Sequence, residues 1–138
     1  MSTITNGSGT TSTTTAEPIL RVRDLHVRFP TPRGNVHAVR GFDLELRRGE
    51  VLGIVGESGS GKSVTSLAVL GLLPDTTNVS GSVELDGEEL LGRSDKQMSR
   101  LRGDKVAMVF QDPLSAFTPV YTIGDQIAET VRLHRGAS

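Results

Sequence analysis

The run Gly56-Glu57-Ser58-Gly59-Ser60-Gly61-Lys62-Ser63 constrains this chain more than any other feature. It satisfies G-x-x-x-x-G-K-[ST], the phosphate-binding loop, at every position. Such a motif carries weight only between a strand and a helix. Here the apolar run Val51-Leu52-Gly53-Ile54-Val55 leads in, and a second, Val64 to Leu73, leads out. The chemistry explains that context. Glycines let the backbone curl so that successive N–H groups converge on one phosphate. The helix that follows offers its free N–H groups and positive dipole end to the same anion. Lys62 is placed to reach the β- and γ-phosphates, and the Ser63 hydroxyl to ligate Mg²⁺. A flexible Gly/Ser linker is a poor account, since linkers are not framed by apolar runs. A dinucleotide fingerprint on Gly59-x-Gly61 fails too, because Val64 stands where its third glycine belongs.

The remaining 130 or so residues narrow the possibilities by exclusion. A chain of 138 residues is long enough for one domain with a real core. Its formal net charge is −1, from 15 basic and 16 acidic residues spread along the sequence, which argues against nucleic acid as the main partner. With no cysteine there is no disulfide framework and no thiolate metal site, which suits the cytosol. His26, His37 and His134 share no metal-ligand spacing and read as surface residues. The longest apolar stretch, around the phosphate-loop helix, is too short and interrupted to span a bilayer. Membrane association would have to run through a partner.

Residues 1–18 read as a disordered tail, and 19–138 as the folded part. Ten of the first fifteen residues are Ser or Thr, a composition that cannot offset its own ordering entropy. No signal-peptide or transit-peptide pattern is present in it. From Leu20 the pattern alternates through Val22, Leu25, Val27 and Phe29, with a break at Arg23-Asp24. Pro30, Pro32, Gly34 and Asn35 mark a turn, and Val36 to Arg48 resumes alternation. These runs predict two antiparallel strands with one wet face. Val51–Val55 is apolar on both faces, as a strand covered on both sides must be. The helix from Lys62 is expected to end by Leu73, since Pro74 cannot continue it. Val83–Leu85 with Asp86-Gly87 reads as a strand entering a tight turn, and residues 93–103 as a short helix. Val106–Phe110 reads as a second fully apolar strand. Thr122-x-x-Asp125 opens a last helix running to about Arg135.

A second signal is Gln111, directly after Val106-Ala107-Met108-Val109-Phe110. The phrase Val109-Phe110-Gln111-Asp112-Pro113, followed by Thr122-Ile123-Gly124-Asp125-Gln126-Ile127-Ala128-Glu129, resembles the Q-loop region of ATP-binding cassette (ABC) transporter ATPases. Combined with the phosphate loop, it is most similar to the oligopeptide/dipeptide/nickel importer branch, over about residues 19–138. Phe117-Thr118-Pro119 departs from the Leu-Asn-Pro more usual there. The resemblance makes Gly56, Glu57, Ser58, Gly59, Ser60, Gly61, Lys62 and Ser63 the Walker A loop. It makes Gln111 a ligand of Mg²⁺ or of the attacking water, and puts Phe29 where an aromatic stacks on adenine. Physical chemistry allows each role: an amide oxygen ligates a hard cation, and a Phe face stacks on any base. Phe29 equally continues the alternation of Leu25 and Val27 as a core residue, and Gln111 also fits as a polar loop residue.

The implied architecture is α/β: a phosphate-loop core with a parallel sheet, joined by an antiparallel β subdomain. The implied function is ATP hydrolysis coupled to import, most plausibly of peptides. ATP and Mg²⁺ are the implied cofactors, Lys62 and Gln111 the catalytic residues, and Ser63 and Gln111 the metal ligands. The implied partners are permease subunits, a second ATPase subunit and, indirectly, an extracytoplasmic solute-binding protein, with the chain at the cytoplasmic face of the membrane. No residues match the family's Leu-Ser-Gly-Gly signature, its Walker B strand or its switch histidine. The sequence therefore reads as the N-terminal part of such a domain, truncated before the rest of the helical subdomain and the Walker B strand. Two other readings stand beside it: a non-catalytic nucleotide-binding fragment, and a small-molecule kinase, which the dispersed arginines disfavour.

Overall fold

The alternating runs after Leu20 build the sheet on which the phosphate loop is mounted. The structure, a computed structural model, describes residues 2–5, 17–111, 118 and 120–135. Its strands are β1 (Ser2–Thr5), β2 (Leu20–Thr31), β3 (Gly34–Leu46), β4 (Leu52–Val55), β5 (Asn78–Leu85) and β6 (Glu88–Glu89). Its helices are α1 (Lys62–Val69), α2 (Asp95–Leu101) and α3 (Ile123–Arg135). The chain divides into two compact units, residues 1–93 and 94–138.

In the first unit β3-β2-β5-β6 form one antiparallel sheet, and the predicted β2–β3 hairpin is its spine. Val22, Leu25 and Val27 of β2, Val39 and Phe42 of β3, and Val83 and Leu85 of β5 are buried, as are Ala68 and Leu70 at α1. Each of these Val, Leu and Phe side chains stabilises the unit by roughly 1.5–3 kcal/mol when fully buried. The break expected at Arg23-Asp24 is a β-bulge: Val22 pairs with Leu44 but Leu25 pairs with Phe42, leaving an extra residue on β2. Asp24 takes φ 45, and β5 receives the bulge at Gly81, φ 111. A Cβ there would lie 2.5 Å from the Asp24 carbonyl oxygen and 2.6 Å from that of Arg23. Two further bulges fall on β3: Leu25 pairs with Phe42 and His26 with Arg40, leaving Gly41 extra, and Val27 pairs with Val39 and Arg28 with His37, leaving Ala38 extra. Asp86 and Gly87 turn β5 into β6 with φ 50 and 78, the left-handed pair a tight hairpin needs.

The strand before the phosphate loop differs from expectation. β4 has one partner among the described residues, the antiparallel β1, which pairs Ser2 with Val55 and Thr5 with Leu52. The tail is thus not unstructured over Ser2–Thr5; residues 6–16 lie outside the described residues. Val51 is 84% exposed and Val55 48%, so this strand is not covered on both faces. Apolar composition supplies the preference for burial, but covering layers on both sides must come from other segments. α1 also stops earlier than Pro74 demands. Gly71 adopts φ 61, its N–H donates to the Ala68 carbonyl, and the Leu72 N–H donates to that of Leu67. That pair of bonds is a Schellman cap, so a glycine ends the helix before the proline is reached.

In the second unit α2 begins at a full capping box, with Ser94 and Gln97 each bonding the other's backbone N–H. α3 begins as expected: the Thr122 hydroxyl accepts from the Asp125 N–H at 3.2 Å. Val106–Phe110, however, forms no strand. A strand needs a neighbour for its N–H and C=O groups, and among the described residues only Val106 finds one, in an isolated bridge to Arg102. Val109 is accordingly 96% exposed. Residues 112–117 and 119, which carry part of the Q-loop phrase and Phe117-Thr118-Pro119, lie outside the described residues.

Candidate functional site: the phosphate loop

The loop between β4 and α1 is shaped by its glycines and closed by its lysine. The Ser60 N–H donates to the Glu57 carbonyl at 3.1 Å, with Gly59 at φ 79 in the position where such a turn favours glycine. Gly56 leaves room for Ser60, whose Oγ would lie 2.5 Å from a Cβ at that position. Gly61 is the tightest point. It caps α1 in the left-handed region at φ 92, and a Cβ there would meet the Ala38 carbonyl oxygen at 2.5 Å. The Ala38 bulge of β3 is therefore what the loop rests on. It fixes the distance between hairpin and helix start through contact of backbone with backbone.

Lys62 folds back into the loop. Its Nζ donates to the carbonyls of Gly56 at 2.5 Å and Glu57 at 2.7 Å, and to Ser60 Oγ at 3.2 Å. The ammonium is thus held inside the ring of residues whose N–H groups an anion would approach. The start of α1 is open to such an anion in two respects. No side chain caps it, and no acidic residue stands in its first turn, so among the described residues neither its N–H donors nor its dipole finds a partner. The first helical bond is made by the Thr65 N–H, with the Thr65 hydroxyl reinforcing it on the Gly61 carbonyl at 2.9 Å. Ser63 is exposed. Among the described residues its hydroxyl has no hydrogen-bond partner. These residues fit a Mg²⁺-bound polyphosphate: donors and a cation for the phosphates, and a free hydroxyl for the metal.

The other expected site residues lie on several elements. Glu57 and Ser58 lie exposed on the loop. Phe29 sits near the end of the β2–β3 hairpin, half-buried and paired with Val36. Gln111 is exposed in the second unit, after the segment that forms no strand. Sequence reading missed the wall opposite the loop. A pocket of about 360 Å³ lies between Gly59-Ser60 and residues 37–42 of β3. No motif marks that stretch; the signal would have been its alternation, broken at Ala38 and Gly41.

Residues 39–137 match the profile of one known family, described as ABC transporter. The chain is 56% identical over 118 residues to the oligopeptide transport ATP-binding protein OppD of Mycobacterium tuberculosis, covering 86% of this chain and 19% of that protein. It is 44% identical over 123 residues to OppD of Salmonella typhimurium, covering 89% and 37%. With the dipeptide transport ATP-binding protein DppD of Bacillus subtilis it shares 44% over 124 residues, covering 88% and 37%. The chain thus spans well under half the length of these relatives. A solved structure titled as the dimeric form of MJ0796, a bacterial ABC transporter cassette, superposes with a TM-score of 0.73 at 23% identity, over 86% of this chain and 50% of that one. That likeness establishes the α/β cassette fold with its antiparallel β part.

Proposed function

Because the chain belongs to the ABC transporter family, we propose that its phosphate loop binds Mg-ATP and that it serves as the energy-coupling part of a peptide importer. The observation that carries this reading is the loop itself: Lys62 held among the Gly56 and Glu57 carbonyls at an uncapped helix start. In this reading Gly56 to Ser63 cradle the phosphates through backbone N–H groups, and Lys62 exchanges its carbonyl partners for phosphate oxygens. The Ser63 hydroxyl holds the metal, which when bound neutralises charge on the β- and γ-phosphates. Gln111 positions the metal or the water, and Phe29 stacks on the base. Peptides are favoured as cargo because relatives sharing 44–56% identity are named for oligopeptide and dipeptide transport. The same reading gives permease subunits and a second ATPase subunit as partners, at the cytoplasmic face of the membrane. No helix among the described residues is long and apolar enough to cross a bilayer.

Binding and turnover separate here. Phosphoryl transfer needs a group that positions the attacking water and charge that stabilises the transition state. Lys62, Ser63 and Gln111 supply part of this, but no residue in the sequence has been identified as the base. We expect residues 1–138 to bind nucleotide without sustained hydrolysis. A phosphate-release assay with Lys62→Ala as the contamination control tests this. Sustained release that vanishes in the variant would show a complete enzyme and overturn the expectation.

A further inference from the structure

The outer face of the four-stranded sheet carries two very different charge arrangements. Near one end Arg21 stands between two acids on neighbouring strands. It bonds Glu45 of β3 at 3.1 Å and Glu84 of β5 at 3.3 Å, both directly opposite it in register. That row is balanced, as cross-strand pairs usually are. Toward the hairpin loop the same face holds the reverse. Arg28 is directly opposite His37, and His26 directly opposite Arg40. Val27 and Val39 between them are buried in the core, which turns these four side chains to the outside.

Each row sets an arginine opposite a histidine, a pair that repels only when the imidazole is protonated. Among the described residues the one acid contact is Asp24, which bonds His26 at 2.9 Å. On β5 the residues opposite His26 and Arg28 are the uncharged Ser80 and Asn78. Arg28, His37 and Arg40 have no ion pair among the described residues, and Arg28 Nε is buried without a hydrogen-bond partner. The His37 pKa is lowered by desolvation and then by the charges of Arg28, Arg40 and His26; every charged neighbour acting on it is basic. A sheet that balances one row with acids and gives the two adjacent rows arginine and histidine, with Asp24 on His26 as their acid contact among the described residues, leaves Arg28 and Arg40 open to something outside it.

We propose that this face of the β2–β3 hairpin docks an extended acidic segment of a partner protein, with one carboxylate on each basic row. The spacing selects that occupant. Residues 26 and 28 are two apart on β2, so the rows lie about 7 Å apart. Alternate side chains of an extended peptide repeat at the same distance, so a Glu-x-Glu segment lying along the strands meets Arg28/His37 and His26/Arg40 in turn. Arg presents a planar fork that suits carboxylates.

The test is titration of the full chain, at low salt, with a short synthetic peptide alternating glutamate and threonine, beside its glutamine counterpart. The expected result is binding of the glutamate peptide only, weakened roughly fivefold or more by Arg40→Gln and by Arg28→Gln, as loss of a close charge pair implies. Arg40 is exposed, so Arg40→Gln leaves the core untouched, and an unchanged unfolding midpoint verifies this. Binding should also tighten as pH falls below the ordinary histidine range, where His37, its pKa lowered by desolvation and its basic neighbours, gains charge. Because His37 and Arg40 also wall the pocket beside Gly59 and Ser60, Lys62→Ala serves as a second control and should leave peptide affinity unchanged. Equal binding of the two peptides, or no effect of either arginine variant, overturns the proposal. So does loss of peptide binding in Lys62→Ala, which would make the cluster part of the phosphate site. Binding to phosphatidylserine vesicles with none to the peptide would assign the face to a membrane instead.

Discussion

Replacing Lys62 with Ala should weaken Mg-ATP binding by roughly 10- to 150-fold while leaving the fold in place. The size follows from chemistry: a hydrogen bond to a charged group contributes about 1.5–3 kcal/mol, and each 1.4 kcal/mol is tenfold in Kd. The insensitivity of the fold follows from the structure. Among the described residues the Nζ bonds only to loop atoms, the Gly56 and Glu57 carbonyls and Ser60 Oγ. The two carbonyl contacts lie at the surface, where water can replace the ammonium, so the cost to stability should stay within about 1 kcal/mol. Calorimetric titration beside urea unfolding separates the two effects. A variant that binds as tightly as the wild type would remove Lys62 from the phosphate site.

Gly61→Ala should damage both properties at once. The position takes φ 92, and the new Cβ would sit 2.5 Å from the Ala38 carbonyl oxygen and 3.3 Å from Val39 Cγ2. Left-handed backbone at a non-glycine costs on the order of 1–3 kcal/mol. The clash adds to this, because the opposing atom is backbone in a bulged strand and cannot swing aside. The helix start must then move off the hairpin, carrying with it the N–H groups that face the anion. A fall in unfolding free energy larger than the roughly 1–3 kcal/mol of strain alone, together with about a tenfold loss of nucleotide affinity, is the expected result. Gly59→Ala is the control, since that position has open space around it and pays only the strain of φ 79. If Gly61→Ala leaves stability and affinity both unchanged, the contact with Ala38 does not position the loop.

Much of this was legible in the residues, and the reasons are local. The hairpin, the loop, the starts of α1 and α3, and the Asp86-Gly87 turn all depend on patterns within a few positions of themselves. Ser94 and Gln97 carried a capping-box signal that went unread, although the helix it opens was expected. What could not be read was how segments far apart meet. Val51–Val55 and Val106–Phe110 have equally apolar compositions, yet one pairs with Ser2–Thr5 and the other forms no ladder. Strand pairing is decided by the partner, and alternation in one segment says nothing of which segment that is. The same holds for the pocket wall at residues 37–42. Its contribution arises from two bulges, which depend on register between β2 and β3. The basic rows on the outer face were likewise hidden, because His37 beside Arg28 and Arg40 beside His26 are neighbours only once the hairpin is paired.

The central claim is that this chain recognises nucleotide through its phosphates at Gly56 to Ser63. The most direct test titrates the wild-type chain with Mg-ATP and, separately, with adenosine, following heat. If the loop carries recognition, Mg-ATP binds with a defined Kd and adenosine, which keeps the base and ribose but lacks every phosphate, does not. Adenosine binding as well as Mg-ATP, or no heat from Mg-ATP with a chain that unfolds cooperatively, would contradict the claim.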